Sequence, residues 1–206
     1  MILLGLAGKS CTGKDEVAHI LQEYGWSIID ADNISRALFY KHEEELFLLF
    51  NDDAKIRKIN LKNKEGHVNK RIFSNLLFGH PTLLNKMESF ILPKIDTEIE
   101  REISSIVEKN KTEKICLNAP TLHKSIFFER VSYILYIHSS LYARLFRAMK
   151  RDRGSVFNIC KRFLVQRDFN SQYLKRKSDI LAINNDSNLK ELRMRVRNVL
   201  SSVGLF

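Results

Sequence analysis

The chain has 206 residues, of which 44% are hydrophobic and 28% charged, with eight Gly and three Pro. This composition supports one domain with a full core and room for a small insertion, and it excludes disordered, collagen-like and Gly/Pro-rich chains. Lys and Arg number 34 against 24 Asp and Glu, and the formal charge of +10 attracts phosphate, whether in nucleic acid or in a small anionic substrate.

The predicted elements begin with an apolar run, Ile2 to Leu6, that reads as a buried strand. Lys14 to Tyr24 places Val17, Ala18, Ile20 and Leu21 at helical spacing, and Gly25 ends the helix. Trp26 to Asp30 reads as a second strand, which completes a βαβ unit with a right-handed crossover. Asn69 to Phe78 and Pro81 to Asn110 read as helical, with Pro93 kinking or dividing the longer segment. A helical insertion after the second strand is therefore predicted. Lys114 to Asn118 and Ser132 to Ile137 read as buried strands, Ser139 to Arg153 as a helix and Asp179 to Ile183 as a last strand. The stripe Leu189, Leu192, Val196, Val199, Leu200 and Val203 predicts a closing amphipathic helix. Five strands alternating with helices imply an α/β fold, a parallel sheet covered on both faces.

No apolar run approaches the ~20 residues of a membrane span. Met1 to Leu4 lacks the basic leader and small-residue cleavage site of a signal peptide. Cys11, Cys116 and Cys160 form no CxxC pair, so a reducing, cytoplasmic location is expected.

The segment Gly8-Lys9-Ser10-Cys11-Thr12-Gly13-Lys14-Asp15, between the first strand and the first helix, matches the phosphate-loop pattern G-x-x-x-x-G-K-[ST] except at its last position. Composition alone would produce GxxxxGK in roughly three of a hundred such chains, and its seat between a strand and a helix makes accident rarer still. The glycines let the loop wrap closely, so that backbone N–H groups point at phosphate oxygens beside the positive end of a helix. Lys14 can then reach the β- and γ-phosphates as a compact charge. Asp15 stands where a hydroxyl normally ligates Mg²⁺. A carboxylate ~4 Å from a phosphate charge is repelled by about 4 kcal/mol at an effective dielectric of 20. Mg²⁺ between the two reverses the sign, because both oxygens ligate it. The site is thus expected either to depend strongly on the metal or to be impaired.

The second strand ends in Asp30-Ala31-Asp32, and ligands of open α/β sheets sit beyond the carboxyl ends of the strands. Asp32 is the candidate to orient and deprotonate an acceptor hydroxyl, with Asp30 in support or holding a metal-bound water. The structural alternative for Asp32 is a helix N-cap. Arg144, Arg147 and Arg151 recur at i, i+3, i+7, joined by Arg162 and Arg167 on a following helix. Such a stripe suits a mobile lid that offsets charge on a transferring phosphoryl group, although a nucleic-acid face or a solvated helix side also fits. The six histidines show no HxxxH or HExxH pairing and the cysteines no zinc spacing, so a protein-held transition metal is not expected. Cys11 is expected to fill space, with a redox-sensitive thiol as the alternative.

Together these residues resemble dephospho-CoA kinases, P-loop kinases that phosphorylate the ribose 3′-hydroxyl of dephospho-CoA with ATP. The resemblance rests on Leu4 to Gly8, on the Asp30-Ala31-Asp32 motif followed by Arg36, and on Gly66 with Asn69-Lys70-Arg71 and Phe73. Asn118-Ala119-Pro120 with Leu122, Arg147 to Asp152, Arg162 with Gln166, and Ser178-Asp179 with Asn184 extend it over nearly the whole chain. It implies a P-loop NTP hydrolase-like three-layer fold with a five-stranded parallel sheet. Residues 1–60 and 112–206 would form the nucleotide core, with a lid near 151–170 and a helical acceptor-binding insertion at 61–111. It also implies Asp32, Lys14, Arg147 and Arg151 as catalytic residues. Gly8, Lys9, Ser10, Cys11, Thr12, Gly13, Lys14, Asp15, Arg147 and Asn184 would bind ATP, with Asn184 near the adenine. Asp32, Arg36, Lys70, Arg71 and Pro120 would bind dephospho-CoA, and Asp15 would meet Mg²⁺.

The chain departs from the family pattern at Asp15, at Lys70 where Arg is usual, at Leu92 before Pro93, and at His123-Lys124 in place of Phe-Glu. Two other readings therefore stand beside the first: a P-loop kinase for another nucleoside or nucleotide, and a nucleotide-binding relative without turnover. A nucleic-acid-binding protein is disfavoured, because no interleaved aromatics or groove-reading motif accompany the basic residues.

Overall fold

The computed structural model describes residues 1–78, 80–110, 114–151, 163 and 179–206. Five strands, β1 (Ile2–Gly8), β2 (Ser27–Asp30), β3 (Lys114–Asn118), β4 (Tyr133–His138) and β5 (Ile180–Asn184), form one parallel sheet in the order β2-β3-β1-β4-β5. The sheet is α/β in type, as predicted. β1 lies at its centre with Leu6 registered against Asn118 and Leu135, so the loop that follows β1 emerges mid-edge, at the carboxyl ends of the strands.

The structure divides into two compact units, Met1–Ala31 with Glu100–Phe206, and Asp32–Ile99. In the first, helices α1 (Lys14–Glu23) and α8 (Leu189–Ser202) cover one face of the sheet. Leu4 and Leu6 of β1, Val17, Ile20 and Leu21 of α1, and Leu192, Val196 and Leu200 of α8 share one buried cluster with Trp26. Both helices end in the same hydrogen-bonded motif. Gly25 N–H reaches the Gln22 carbonyl and Trp26 N–H the Leu21 carbonyl, as Gly204 and Leu205 do to Ser201 and Leu200. Each motif folds an apolar residue back onto the core. The opposite face of β1 is met by Leu122 of a short 3₁₀ helix (Leu122–Lys124) and by Val131, after helix α6 (Phe127–Arg130). Helix α7 (Leu141–Arg151) follows β4.

The second unit is helical: most of α2 (Ala31–Lys41), α3 (Glu43–Ile56), α4 (Lys70–Leu77) and the larger part of α5 (Pro81–Asn110). Its core is Phe39, Leu46, Phe50, Ala54, Leu61, Val68, Phe73, Leu76 and Leu83, with Phe73 edge-on to both Phe39 and Phe50 at centroid distances of 5.5 and 5.0 Å. Asn69 caps α4, its side chain accepting from the Arg71 and Ile72 amides at 3.1 Å. Glu43 accepts from the Val68 amide and so ties the start of α3 to the loop before α4.

Three differences from the sequence expectations follow. The helical unit runs 32–99, earlier at both ends than 61–111, because α2 and α3 pack into its core. The helix α3 was not predicted. Pro93 does not divide α5, which stays helical through it, with the Thr97 hydroxyl donating to the Pro93 carbonyl at 2.9 Å. The lid expected at 151–170, with Asp152, Arg162, Gln166 and Arg167, and also Arg153, Ser178 and Cys160, lies outside the described residues apart from Arg151 and Phe163.

Candidate active site

Gly8 to Asp15 joins the last residue of β1 to the first turn of α1 as a tight loop. Cys11 sits at φ +62° and Gly13 at +91°, two left-handed residues that bend the chain back on itself. Gly8 is required by close approach: a Cβ there would lie 2.4 Å from the Ile137 carbonyl oxygen and 2.9 Å from Thr12 Oγ1. The first of these is backbone and cannot yield, so Gly8→Ala is expected to cost about 2 kcal/mol or more of stability and to displace the loop. Chemical denaturation beside ATP titration checks this; full stability with unchanged binding would be the opposite result.

The five loop carbonyls from Gly8 to Thr12 all accept side-chain hydrogen bonds, the first two from within the loop and the other three from residues much later in the chain. Lys14 Nζ donates to the Gly8 oxygen at 3.0 Å, and Thr12 Oγ1 to the Lys9 oxygen at 2.9 Å. Arg144 Nε donates to the Ser10 oxygen at 2.9 Å. Arg147 Nη1 approaches the Cys11 and Thr12 oxygens at 3.4 Å each, and Asn185 Nδ2 donates to the Thr12 oxygen at 2.8 Å. Because each peptide is planar and trans, holding the Ser10 and Thr12 carbonyls against Arg144 and Asn185 turns the Cys11 and Gly13 N–H groups away from those side chains, while the Thr12 N–H closes a turn on the Lys9 oxygen at 3.3 Å. A run of amides at a helix N-terminus, beside Lys9 and Lys14, is a phosphate-binding arrangement.

Arg144 is buried, its guanidinium 4.3 Å over the Phe163 ring. Arg147 also donates to Ser139 Oγ at 3.0 Å and, through Nη2, to the Asn185 oxygen at 2.7 Å. Both arginines therefore brace the loop. A cavity of about 370 Å³ opens beside it, lined by Lys9, Thr12, Tyr136, His138 and Arg144 among others. Burial pushes the Tyr136 hydroxyl up from its ordinary range, with the Arg144 charge opposing.

Asp15 is exposed in the first turn of α1. Asp30 closes β2 in register with Asn118, whose buried Oδ1 has no hydrogen-bond partner among the described residues. Helix α2 begins at Ala31, so Asp32 lies in its first turn rather than at the N-cap position. In the helical unit, the Lys70 ammonium lies 5.4 Å from the Phe39 ring centroid and 5.9 Å from that of Tyr40. Partial burial there and the Arg36 charge hold Lys70 below the usual lysine range, with Asp32 acting the other way. Asp32, Arg36 and Lys70 thus share one electrostatic neighbourhood. Arg71 follows Lys70 in the first turn of α4, and Pro120 lies in the turn after β3. Asn184 ends β5, its carbonyl accepting from Arg195 Nη1 at 2.6 Å. The side chain of Arg151 is not among those described.

Sequence reasoning did not single out Ser139 or Asn185, and it placed Arg144 in a stripe without a partner. Nothing local marks Ser139 and Asn185. Their roles come from backbone carbonyls more than 100 positions away along the chain, as in the Asn185–Thr12 and Ser139–Thr12 bonds. Among the described residues no three or more His, Cys, Asp or Glu side chains are grouped to hold a metal on their own.

A family model described as dephospho-CoA kinase matches residues 2–191. A dephospho-CoA kinase of Treponema denticola is 45% identical over 184 residues, covering 89% of this chain and 82% of the relative. That of Treponema pallidum is 32% identical over 203 residues, covering 98% and 96%. Among solved structures, a Thermus thermophilus protein titled TT1252 superposes with a TM-score of 0.78 at 24% identity, covering 98% of this chain and 97% of that one, which speaks to the fold.

Proposed function

The chain belongs to the dephospho-CoA kinase family and is a phosphotransferase acting on an alcohol group, and we propose how its own residues divide that work. In the reaction the γ-phosphoryl group of ATP passes to the ribose 3′-hydroxyl of dephospho-CoA, the last step of coenzyme A biosynthesis. The observation that carries this reading is the loop 8–15 at the start of α1, with its Ser10, Cys11 and Thr12 carbonyls held by Arg144, Arg147 and Asn185 and with Lys14 folded back onto it. Gly8 to Asp15 bind the phosphates of ATP, with Lys14 on the transferring group and Asn184 on the adenine side. Asp32 accepts the acceptor hydroxyl's hydrogen bond and draws off its proton as the new P–O bond forms. Arg36, Lys70, Arg71 and Pro120 hold dephospho-CoA. Arg151 offsets charge on the phosphoryl group, and Arg147 serves ATP binding by holding the Cys11 and Thr12 carbonyls of the loop.

The donor chemistry suits Mg²⁺, which takes one or two carboxylates together with phosphate oxygens and waters. Asp15 is the carboxylate that would hold it, and the bound ion supplies charge neutralisation at the phosphates. Phosphoryl transfer of this kind needs no covalent enzyme intermediate, so positioning and electrostatics supply the rate. We place the protein in the cytoplasm. In support, no described helix is long and apolar enough to cross a membrane, and Cys11 and Cys116 are free thiols.

Lys70 gives the acceptor side a pH signature. Its charged form persists below its lowered pKa and is lost as pH rises through it. KM for dephospho-CoA should therefore climb on the alkaline side before the ordinary lysine value of about 10.4 is reached. In Lys70→Arg the guanidinium stays charged and the climb should vanish. The same alkaline rise in both proteins would remove Lys70 from the acceptor site.

The direct test is transfer of labelled γ-phosphate from Mg·ATP to dephospho-CoA by the full chain. Formation of labelled CoA supports the reading. Tight ATP binding with no transfer to dephospho-CoA would replace it with another acceptor or a silent relative.

A further inference from the structure

We propose that Asn185 is a positioning residue for nucleotide binding, which fixes the Thr12–Gly13 peptide and so aims the Gly13 N–H at a bound phosphate. The proposal rests on the phosphate-loop reading above and adds a residue that neither the loop motif nor the family resemblance supplied.

Asn185 directly follows β5 and is only 5% exposed. Its main chain is anchored on both sides. The amide donates to the His138 carbonyl at 2.8 Å, and the carbonyl accepts from Ser139 Oγ at 2.8 Å and Arg147 Nη2 at 2.7 Å. The side chain therefore starts from a fixed point, and Nδ2 donates to the Thr12 oxygen at 2.8 Å. In a planar trans peptide the Gly13 N–H points opposite to the Thr12 carbonyl. Holding that oxygen against Asn185 sends the N–H to the enclosed side of the loop.

This peptide needs holding. Gly13 at φ +91° has access to conformations closed to other residues, so the plane before it can rotate at little steric cost. Rotation would swing the Thr12 oxygen inward and present a phosphate with an acceptor in place of a donor. The other donors at that oxygen are weaker: Arg147 Nη1 at 3.4 Å is shared with Cys11 and Ser139, and Ser139 Oγ stands at 3.3 Å. Contact is also close in the other direction. A Cβ on Gly13 would lie 2.3 Å from Asn185 Nδ2, so the two residues fit only as a pair.

The test separates phosphate from base. Full-length wild type, Asn185→Ala and Asn185→Asp are titrated with Mg·ATP and with magnesium tripolyphosphate, which has phosphates and no adenosine. Both variants should lose roughly tenfold to a hundredfold in affinity, by the same factor for the two ligands, with KM for dephospho-CoA unchanged. A merely structural role would lower the unfolding temperature and leave this pattern absent. If the Asp variant does not fold, Asn185→Ser joins the Ala variant. Equal tripolyphosphate affinity in variant and wild type overturns the proposal, as does a loss confined to ATP, which would put Asn185 at the base. Wild type that binds neither ligand would instead overturn the phosphate-loop reading itself.

Discussion

Replacing Lys14 with alanine is expected to reduce phosphoryl transfer by about 1,000-fold or more while the chain stays folded. Lys14 opens α1, and its ammonium is half-buried, 3.0 Å from the Gly8 oxygen. That bond folds the side chain back onto the start of the loop. In the proposed reaction a γ-phosphoryl group held there would gain charge stabilisation that strengthens as its bond to ADP breaks. Substitution removes the charge and one hydrogen bond to a loop carbonyl, a structural cost of about 1 kcal/mol. Single-turnover kinetics with labelled ATP, beside thermal unfolding of the same sample, separates the two. Lys14→Arg should rescue poorly, because a planar fork does not replace a compact ammonium in a closed loop. Turnover that survives Lys14→Ala would detach the loop from the reaction.

The second large effect is expected from Asp32→Asn, which keeps the shape of the side chain and removes its charge. General-base work of this kind contributes about 10²–10⁴ in rate, so kcat should fall by that range with ATP affinity intact. Asp32 is exposed in the first turn of α2, a helix that already begins at Ala31, so the change removes no N-cap. A favourable carboxylate–helix interaction of about 0.3–1 kcal/mol is the structural cost. The substitution has a second readout. Asp32 pulls the Lys70 pKa upward, against burial and Arg36. With that charge gone the Lys70 value drops further, so the alkaline rise in acceptor KM should begin at a lower pH than in wild type. A variant that keeps its kcat, or whose alkaline limb stays in place, would remove Asp32 from this role.

The chain's departures from the family pattern fall into different physical classes. Lys70 in place of Arg gives up bidentate geometry but gains two aromatic neighbours, Phe39 and Tyr40. His123 and Lys124 sit in the 3₁₀ helix that caps the face of β1, where Leu122 is fully buried and supplies the packing. Asp15 is exposed in the first turn of α1, where its carboxylate lies open to solvent. The structure gives no account of Leu92 before Pro93.

The elements legible in the sequence were those whose signals are local. The β1–loop–α1–β2 unit could be read because its punctuation lies within a few residues: Gly8, Gly13 and Gly25 stand where the backbone turns, and the apolar period changes between strand and helix. The same holds for α4, α8 and the three later strands. Helix α3 escaped because Leu46 to Phe50 are five apolar residues in a row, which hides the period. Only packing reveals that Leu46, Phe50 and Ala54 face inward while Leu48 is 73% exposed. Pro93 read locally as a kink or a division, and α5 continues through it undivided.

Sequence by itself determined the glycine-bearing loop between β1 and α1 and the parallel α/β sheet, because glycine spacing and hydrophobic period act over one or two turns of chain. Only the tertiary structure decided what Arg144, Arg147 and Asn185 do. Their partners, the carbonyls of Ser10, Cys11 and Thr12, are more than 130 residues distant in sequence. A side chain's charge is written in the chain, but the acceptor it meets is set by which strands lie side by side. Here β4 and β5 lie in order beyond β1, which brings the residues after them against the loop.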